Sequence, residues 1–509
     1  MIDTTAVKNN ANYLRNVRPI DPEEIAEYIE GTPHPAVVRE TLRAEAFDLR
    51  LRERDDGCFE PVPAGPFSQP DWEPDRLPDA YSFAIEDLLV REFGANWHRG
   101  ESGDTLRAAV RRLKTDYLYA NDVEYDRIAS LGYALYHLPA YYATIGYVLD
   151  DLAENGLLDR ALRVIDVGAG VGGPALGLAD YLPDDAIVEY HAIEPSSAST
   201  VLDRLLEETG RNFRTTIHET TAEAFFGIDA AGDQSAPNSD DQSAPNSDDQ
   251  SAPNSDEQAT VETVGDAGPI DLVVFGNVLS ELADPTPVVS AALEALADDG
   301  SLVAFAPADR NTAIGLRDIE RSVVDSSPTA DIYSPTLRLW PNATPSDSGW
   351  SFDVAPDLAV PAFQRRLDEA ADRNQTDDPG EFINVDVQFA YTILRPDGQR
   401  RVDVRASPDR CARMADAESH VTDRVNLLAV KLSHDLSAGD NALYRVGDGS
   451  QTVDHYLVCT RETTLNRDLR TADYGAVAFV ENGLVLWNND EGAYNVVVDD
   501  ETVVDLVAP

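Results

Sequence analysis

The middle of the chain alternates between short apolar runs and stretches with helical spacing. Such alternation predicts a parallel sheet covered by helices on both faces. The five runs that we interpret as its strands are Val164–Val167, Ile187–Ile193, Arg214–His218, Ile270–Phe275 and Ser301–Ala306. Two more runs, Val385–Leu394 and Gln399–Arg405, are joined by the hairpin signal Pro396-Asp397-Gly398, and we expect them to extend the same sheet. The segment 327–358 is predicted to be irregular.

The two ends of the chain show different patterns. Residues 1–155 have mostly helical spacing, with a helix start at Asp21-Pro22 because Asp caps helices and Pro suits the first turn. Within the apolar stretch Asp126–Leu152, Pro139 predicts a kink or a new helix. From about Asn426 onward, short strands and turn signals such as Glu481-Asn482-Gly483 predict a small β-barrel, with an OB-like fold as one candidate. We therefore predict three regions, 1–155, 156–425 and 426–509.

A low-complexity insertion interrupts the middle region between its third and fourth strands. Residues 233–256 are three identical copies of the sequence DQSAPNSD. Segments of this composition cannot bury enough apolar surface to offset the entropy of ordering. We expect the segment 230–268 to be a disordered loop that folding does not require.

A glycine-rich turn follows the first predicted strand of the sheet. Asp166 lies near the end of that strand, and Gly168 and Gly170 follow it. Glycines permit a tight turn and let the backbone approach a ligand closely, and the next helix offers its unpaired N–H groups. The pattern suits a dinucleotide or S-adenosylmethionine, with Asp166, Gly168 and Gly170 at the methionine and sulfonium end in the second case. Asp166 acting only as a structural acceptor in the turn is the alternative.

Three later residues complete the candidate cofactor site. Glu194 ends the second strand, 28 residues after Asp166, and an acid there fits hydrogen bonding to ribose hydroxyls, although it is also compatible with a surface acid. Thr221 stands where related folds often hold an acid for adenine, and Asn277 is expected to lie under the cofactor. Five strand–helix units with an acid late in the first strand favour S-adenosylmethionine over a dinucleotide. They predict an α/β class I methyltransferase sheet with a Rossmann-like topology.

Acidic residues are spread along the whole chain. There are 92 Asp and Glu against 40 Lys and Arg, which gives a net charge of −52, and only Lys8, Lys114 and Lys431 are lysines. This pattern is typical of a protein from an extreme halophile. At about 1 M salt the Debye length is about 3 Å, so the charge is largely screened and does not exclude an RNA partner.

The two most basic stretches of the chain are Pro35–Arg54 and Thr105–Leu118. Their arginines either pair within the helix, for example with Glu40, Glu45 or Asp48, or contact phosphate groups. The sequence leaves both interpretations open.

Cysteine content and hydropathy indicate the cellular compartment of the protein. Cys58, Cys411 and Cys459 are far apart, which argues against a disulfide framework and a cysteine-rich metal site. The first residues lack the apolar core of a signal peptide, and no run of about 18 apolar residues is present. We expect a soluble, cytoplasmic protein without membrane partners; its oligomeric state is not predicted.

Three motifs together resemble a known family. They are YHLPAYYAT at 136–144, VIDVGAGVGG at 164–173 and FGNVLSEL at 275–282. Over about residues 100–410 the chain resembles the mitochondrial-type small-ribosomal-subunit methyltransferase-like assembly factors, which also occur in bacteria and archaea. The resemblance implies S-adenosylmethionine binding and a partner in the small ribosomal subunit, either ribosomal RNA or a ribosomal protein. It often implies an iron–sulfur cluster as well.

The cluster is the point at which this chain departs from the family. Members usually carry cysteines after the fifth strand, but the matching segments Tyr333–Leu337 and Gly349–Phe352 contain none. Because thiolates hold such clusters, we predict that no metal is bound.

Catalysis is harder to assign than the cofactor. The segment after strand four lacks the N/D-P-P-Y/F motif of base-amino methyltransferases. Carbon-5 methyltransferases need a catalytic cysteine near the cofactor, but Cys411, the only cysteine of this region, is distant in sequence from that strand. Asn277, Ser280 and Glu281 remain, either to position a substrate or to cap a helix. We expect a methyltransferase acting on the small subunit, or an assembly factor that keeps the fold for docking; a small-molecule methyltransferase fits the large flanking regions less well.

Overall fold

The computed structural model describes residues 2–119, 123–228, 265, 268–341, 350–371 and 379–507. The repeats at 233–256, and nearly all of the predicted insertion around them, lie outside these residues. No helix within the described ranges is long and apolar enough to cross a membrane.

The N-terminal region is mostly helical, as predicted. Its helices are α1 (Thr4–Leu14), α2 (Pro22–Tyr28), α3 (Pro35–Ala44), α4 (Asp79–Phe93), α5 (Gly100–Tyr119), α6 (Arg127–Tyr136) and α7 (Leu138–Ala153), and a short hairpin is formed by β1 (Leu51–Glu53) and β2 (Phe59–Pro61). The Asp21 carboxylate accepts the Glu23 N–H at 2.9 Å, which confirms the predicted helix start. Pro139 lies in the first turn of α7, so it begins a new helix.

The basic stretch at 35–54 is not one helix. The helix α3 ends at Ala44, and the chain continues to β1, whose Glu53 binds arginines of α3. The Nε atoms of Arg39 and Arg43 each lie 2.6 Å from the Glu53 carboxylate, which is buried. In the second basic stretch, Arg111 binds Glu381 at 2.7 Å. Pairing within the helix is present for Arg43 with Glu40 and for Arg107 with Asp104, whereas Arg39 and Arg111 pair with residues of other elements. Contact with phosphate groups stays a prediction.

The central sheet has the topology expected from the sequence. Its strands are β3 (Ala161–Val167), β4 (Ile187–Ile193), β5 (Phe213–His218), β6 (Ile270–Gly276), β7 (Leu296–Pro307), β8 (Asp331–Ser334), β9 (Asp353–Ala355) and β10 (Val387–Arg395). The order is β5-β4-β3-β6-β7-β10-β8, and β9 pairs with β10. The first five are parallel and β10 is antiparallel to both its neighbours. This is the class I methyltransferase arrangement.

Helices cover both faces of the sheet. They are α8 (Gly173–Tyr181), α9 (Ala198–Leu206), α10 (Ala222–Phe225), α11 (Pro285–Ala295), α12 (Arg310–Ser326) and α13 (Ala362–Glu369). Apolar side chains of α7 and α8 fill one face and those of α11 and α12 fill the other. The sheet is therefore buried on both sides, which explains the continuous apolar runs of its strands.

One strand prediction is wrong. Residues 399–405 form no strand, and the edge beside β10 is occupied by β8 and β9 from the segment predicted to be irregular. The buried Arg395 binds Asp397 at 2.6 Å, so the turn residue is held back against the end of β10. Beyond it, Arg401 binds Asp151 of α7 and Glu154 at the end of that helix instead of pairing in a hairpin.

The C-terminal region is a small closed barrel, as predicted. Its elements are β11 (Arg424–Lys431), β12 (Ala442–Gly447), β13 (His455–Cys459), α14 (Asp468–Thr471), β14 (Val477–Asn488), β15 (Ala493–Val498) and β16 (Val503–Leu506). The ring closes in the order β11-β12-β13-β15-β14-β11, and β16 adds to β14. The predicted turn at 481–483 lies inside β14, where Asn482 has a φ of +64° and the pairing with β11 shifts. It is a bulge that bends the strand around the barrel.

Candidate functional site

The carboxyl ends of β3, β4 and β6 border an open cavity of about 610 Å³. The order of the sheet reverses direction at β3, and ligands of open α/β sheets bind at such a switch point. Five of the six predicted cofactor residues line the cavity, namely Gly168, Gly170, Glu194, Thr221 and Asn277. The structure thus brings these residues together, while the ligand that each contacts stays a prediction.

The loop after β3 depends on its glycines. Gly168 has a φ of +65°, and a β-carbon there would overlap the side chain of Val278 across the cavity. Gly170 has a φ of +55°, and a β-carbon there would make only an ordinary contact, 3.9 Å from the Gly168 carbonyl oxygen, so only its backbone conformation favours glycine. A side chain at 168 would therefore push the two walls of the cavity apart.

Glu194 joins two loops that border the cavity. One oxygen of its carboxylate accepts the Gly170 N–H at 2.8 Å, and the other accepts the Ser196 N–H at 2.8 Å. The residue is buried, so the alternative of a surface acid is wrong. Each carboxylate oxygen retains acceptor capacity for a ligand hydroxyl.

Asp166 lies behind the glycine loop, inside the sheet. It is fully buried, and the Tyr190 phenol donates to its Oδ2 at 2.5 Å. Burial raises its pKa from 3.8 to about 7; the Tyr190 hydrogen bond opposes this rise and the nearby Glu194 charge adds to it. Asp166 does not line the cavity, and its Oδ1 has no hydrogen-bond partner among the described residues, so its cofactor-binding role stays a prediction beside the structural one.

Asn277 is the strained residue of the site. It has a φ of +61°, unusual for a residue with a side chain, and its N–H donates to the Phe305 carbonyl at 2.9 Å. The residue is 4% exposed, and within the described chain neither polar atom of its side-chain amide has a hydrogen-bond partner. An unsatisfied buried polar group costs about 1–3 kcal/mol, so its persistence at a cavity wall indicates a ligand-binding group.

The adenine end of the predicted site holds an acid that the sequence interpretation missed. The Thr221 hydroxyl caps α10 by accepting the Ala224 N–H at 3.3 Å. Glu223, two residues later in the first turn of α10, also lines the cavity. The cap signal Thr-x-Glu was readable in the sequence, but only the fold shows that this turn borders the cavity.

Phenols and a carboxylate form one rim of the cavity. We call Tyr117, Tyr125, Tyr133 and Glu281 the phenol cluster. The phenol oxygens of Tyr117 and Tyr125 are 2.6 Å apart, and both donate to Glu281 Oε1, at 2.7 Å and 2.8 Å. The ring of Tyr133 lies 5.7 Å from that of Tyr125. These tyrosines therefore do more than fill the core.

Glu281 does not cap a helix. The helix that follows it, α11, begins four residues later, with Asp284 at its cap position. Burial against the surrounding protein raises the pKa of the Glu281 carboxyl, while the hydrogen bonds from Tyr117 and Tyr125 oppose this rise. The exposed side of Glu281 faces water, which limits the rise.

His137 is a structural residue rather than a base. It separates α6 from α7 and its ring stacks on Tyr141, 5.7 Å between centroids. Burial lowers its pKa to about 3, with the Lys114 charge contributing. It therefore stays neutral at ordinary pH.

The charge of the cavity has a single sign. Four of its lining residues are glutamates and none is Lys, Arg or His; the glutamates are Glu124, Glu194, Glu223 and Glu281. Two arginines of the neighbouring N-terminal helices are paired with carboxylates, Arg112 with Asp126 at 3.1 Å and Arg127 with Glu92 at 2.6 Å. The cavity thus suits a cationic ligand better than a phosphate.

The donor set for an iron–sulfur cluster is absent where the resemblance places it. Ser334 and Ser351 are buried there; Ser334 donates to Asp151, and Ser351 shares a 3.0 Å hydrogen bond with Tyr474. Across the ranges that the structure describes, no group of three or more His, Cys, Asp or Glu residues could hold a metal ion. Hydroxyls in place of thiolates do not fit such a cluster.

Two family models match parts of the chain. The model described as the N-terminal domain of a domain of unknown function (DUF8157) matches residues 4–55, and its C-terminal domain matches residues 415–507. Neither match includes the cavity. No curated protein matches the chain significantly.

Solved methyltransferase structures are similar at low levels. The precorrin-6y C5,15-methyltransferase of Geobacter metallireducens is 13% identical, with a TM-score of 0.25, over 49% of this chain and 85% of the other. The ribosomal protein L11 methylase of Lactobacillus delbrueckii is 16% identical, with a TM-score of 0.22, over 37% and 69%. The rRNA-methylase described as putative from Clostridium thermocellum is 11% identical, with a TM-score of 0.22, over 47% and 88%. These similarities carry no argument about substrate.

Proposed function

We propose that this protein binds S-adenosylmethionine and transfers its methyl group. The observation that carries the proposal is the unpartnered amide of Asn277, held in a strained conformation at the wall of a cavity in the class I methyltransferase sheet. S-adenosylmethionine carries a sulfonium and an ammonium group, and a cavity with four glutamates and no basic lining residue attracts such a cation. The same charge disfavours the pyrophosphate of a dinucleotide.

Each lining residue has a role in this proposal. Glu194 accepts hydrogen bonds from the ribose hydroxyls while it holds the glycine loop, and Gly168 and Gly170 let the backbone approach the methionine part. Thr221 and Glu223 lie at the adenine end, and the Asn277 amide binds from below. Asp166 supports the loop. Bound in this way, S-adenosylmethionine supplies an electrophilic methyl group, and the protein contributes chiefly by positioning the acceptor in line with it.

We further propose that the acceptor belongs to the small ribosomal subunit. The support is the set of three motifs at 136–144, 164–173 and 275–282, two of which contribute to the cavity or its rim. The helical region and the barrel on either side also suit a macromolecular partner better than a small molecule.

A non-catalytic assembly factor is the second candidate. It is favoured by the absence of the N/D-P-P-Y/F motif after β6. It is also favoured by the position of Cys411, because this cysteine is buried between the barrel and the segment before it and cannot serve as a catalytic cysteine beside the cofactor. Such a protein would keep S-adenosylmethionine binding, if at all, only for docking.

Calorimetric titration in molar potassium chloride tests cofactor binding. We expect stoichiometric binding of S-adenosylmethionine, weaker binding of the product S-adenosylhomocysteine, which lacks the sulfonium charge, and no binding of NAD. Glu194→Ala should weaken S-adenosylmethionine binding at least several-fold because the ribose contacts and the loop bond are lost together. Binding of NAD, or an unchanged dissociation constant in Glu194→Ala, would overturn the assignment.

A further inference from the structure

The phenol cluster offers one chemical class of acceptor a binding site beside the proposed cofactor. Glu281 is exposed on one side, so a group from another molecule can reach its carboxylate from solvent. Tyr125, Tyr133 and Glu281 all line the cavity that the cofactor would occupy. The acceptor and the cofactor would therefore share one space.

We infer that the methyl acceptor is a protein amine, either a lysine side chain or a chain N-terminus, that Glu281 binds and deprotonates. This inference rests on the proposed methyltransferase function and names its substrate class. An ammonium group has only donors, and it is matched by a carboxylate together with phenol oxygens.

The charges around the site favour an amine over RNA. Proteins hold a nucleic-acid backbone with unpaired arginines and lysines. Here the cavity lining contributes carboxylates only, and the nearby Arg112 and Arg127 already bind Asp126 and Glu92. A phosphate entering beside Glu281 would meet repulsion from the carboxylates that line the cavity.

The step balances with the residues that are present. The ammonium group gives a proton to the Glu281 carboxylate and becomes a neutral amine. Its nitrogen lone pair forms the bond to the methyl carbon while the carbon–sulfur bond breaks, and sulfur keeps that electron pair as the uncharged thioether. The product is a methylated ammonium, and Glu281 returns its proton to water on its exposed side.

Tyr117 and Tyr125 act as positioning residues in this step. Their hydrogen bonds to Oε1 fix the carboxylate and leave Oε2 for the amine. They also oppose the rise of the Glu281 pKa that burial and the charge of Glu194 produce. Removing one phenol hydroxyl should therefore move the acid limb of the pH–rate profile to higher pH.

The test uses the full-length protein and small ribosomal subunits from cells that lack it. We would incubate both with methyl-labelled S-adenosylmethionine in molar potassium chloride, digest separate samples with nuclease and protease, and hydrolyse the protein to amino acids. Label in methyl-lysine or in an N-methylated N-terminus is the expected result. Label in RNA, or in protein on any other group, would overturn the amine inference and leave methyl transfer standing. Bound cofactor without any transferred label would overturn both methyl transfer and the amine inference, and would favour the docking factor. The absence of bound cofactor would overturn the proposed function itself.

Substitution of Glu281 separates its role from folding. Glu281→Gln keeps the shape and the acceptor for the phenols but cannot take a proton, so we expect transfer to fall about 10²–10⁴-fold with S-adenosylmethionine affinity kept within a few-fold. Asp284→Asn, the same charge change three residues away without a cap hydrogen bond, is the matched control. Equal transfer by Glu281→Gln and the control would overturn the role of Glu281. Tyr125→Phe adds the pH readout, since a purely structural role would leave the acid limb in place.

Discussion

Two openings lined by described residues differ in size and charge, and the larger of the two is the poorer candidate for a ligand site. A cleft of about 1140 Å³ lies at the amino ends of β4 and β5, against the β1–β2 hairpin. Its charges are of both signs and are already paired, for example Arg52 with Glu60 and Arg211 with Asp55 at 3.3 Å. The cavity at the carboxyl ends is about half as large, yet its charges have one sign and the Asn277 amide has no partner there. The smaller cavity is the better candidate because its lining charges have one sign and neither polar atom of the Asn277 amide has a partner among the described residues, whereas Arg52 in the larger cleft lacks a partner only at Nε.

Two buried carboxyls, one behind each opening, should respond to pH in opposite directions. Burial alone would raise the pKa of Glu53, but the bonds from Arg43 and Arg39 bring it below its ordinary value. The pKa of Asp166 is raised from 3.8 to about 7. Glu53 therefore contributes stability above its unfolded-state pKa that is lost as pH falls. Asp166 is the reverse: between pH 3.8 and 7 the native state alone keeps the proton, so stability falls as pH rises through this window.

Substitution makes this contrast measurable and gives the largest effects that we expect. Asp166→Asn should raise the free energy of unfolding by on the order of a few kcal/mol relative to wild type at pH 8, and change it little below pH 4. Glu53→Gln should lower the free energy of unfolding by roughly 2–3 kcal/mol at pH 7. This loss is smaller than for a fully buried ion pair because both arginines are partly exposed, and it should shrink as the pH falls. Denaturant unfolding across pH, in molar salt, checks both. The contrast fails if the two variants change stability with the same sign at pH 8.

Gly168→Ala should damage the smaller cavity through its walls. The added β-carbon meets Val278 and the φ of +65° is strained, so we expect a loss of about 1–3 kcal/mol in stability and weaker cofactor binding. Gly31→Ala, at a φ of +85° with open space around it, carries the strain alone and is the control. Trimming the opposing wall with Val278→Ala should restore binding in part. Equal losses in the Gly168 and Gly31 variants would argue against the close approach of the walls.

Asn277→Gly should separate binding from stability. The variant loses the ligand-binding amide but relieves the positive φ, so we expect at least about a tenfold weaker S-adenosylmethionine affinity, about 1.4 kcal/mol, with Tm unchanged or raised. Asn482→Gly makes the same change at a φ of +64° in the barrel and should leave affinity unchanged. Calorimetry and thermal unfolding on both variants provide the readout. Equal affinities in the two variants would remove Asn277 from the site.

The smallest effect is expected in the larger cleft. Arg52→Gln breaks a partly exposed ion pair with Glu60 and should cost about 0–1 kcal/mol of stability. Because that cleft holds no part of the proposed site, cofactor affinity should not change. A several-fold change in S-adenosylmethionine affinity would show that the two openings are coupled and would break the comparison.

Local patterns were enough to predict the sheet and one half of the site. β4 has the bounds that were predicted, Ile187–Ile193, because a strand buried on both faces is a continuous apolar run. Glu194 and Gly168 follow directly from such strands. The edge strand β8 was not predicted, because it is only four residues long and it pairs only with the end of β10.

The other half of the site is tertiary. Glu281 meets Tyr117 and Tyr125 across 164 and 156 residues of sequence, a contact that no spacing rule reports. The same reason explains the ion-pair partners of the basic stretches. The arginines of α3 bind Glu53 on the following strand, and Arg111 binds Glu381, 270 residues further along the chain.

The bridge that Glu194 makes between Gly170 and Ser196 has a kinetic consequence. Because the protein's own carboxylate already holds both loops, an incoming adenosine group meets a surface that needs no folding step. The observed association rate should then rise linearly with ligand concentration in a single phase. Once Glu194 is replaced by alanine, a slower phase that levels off at high concentration should appear, since loop ordering would have to accompany each binding event.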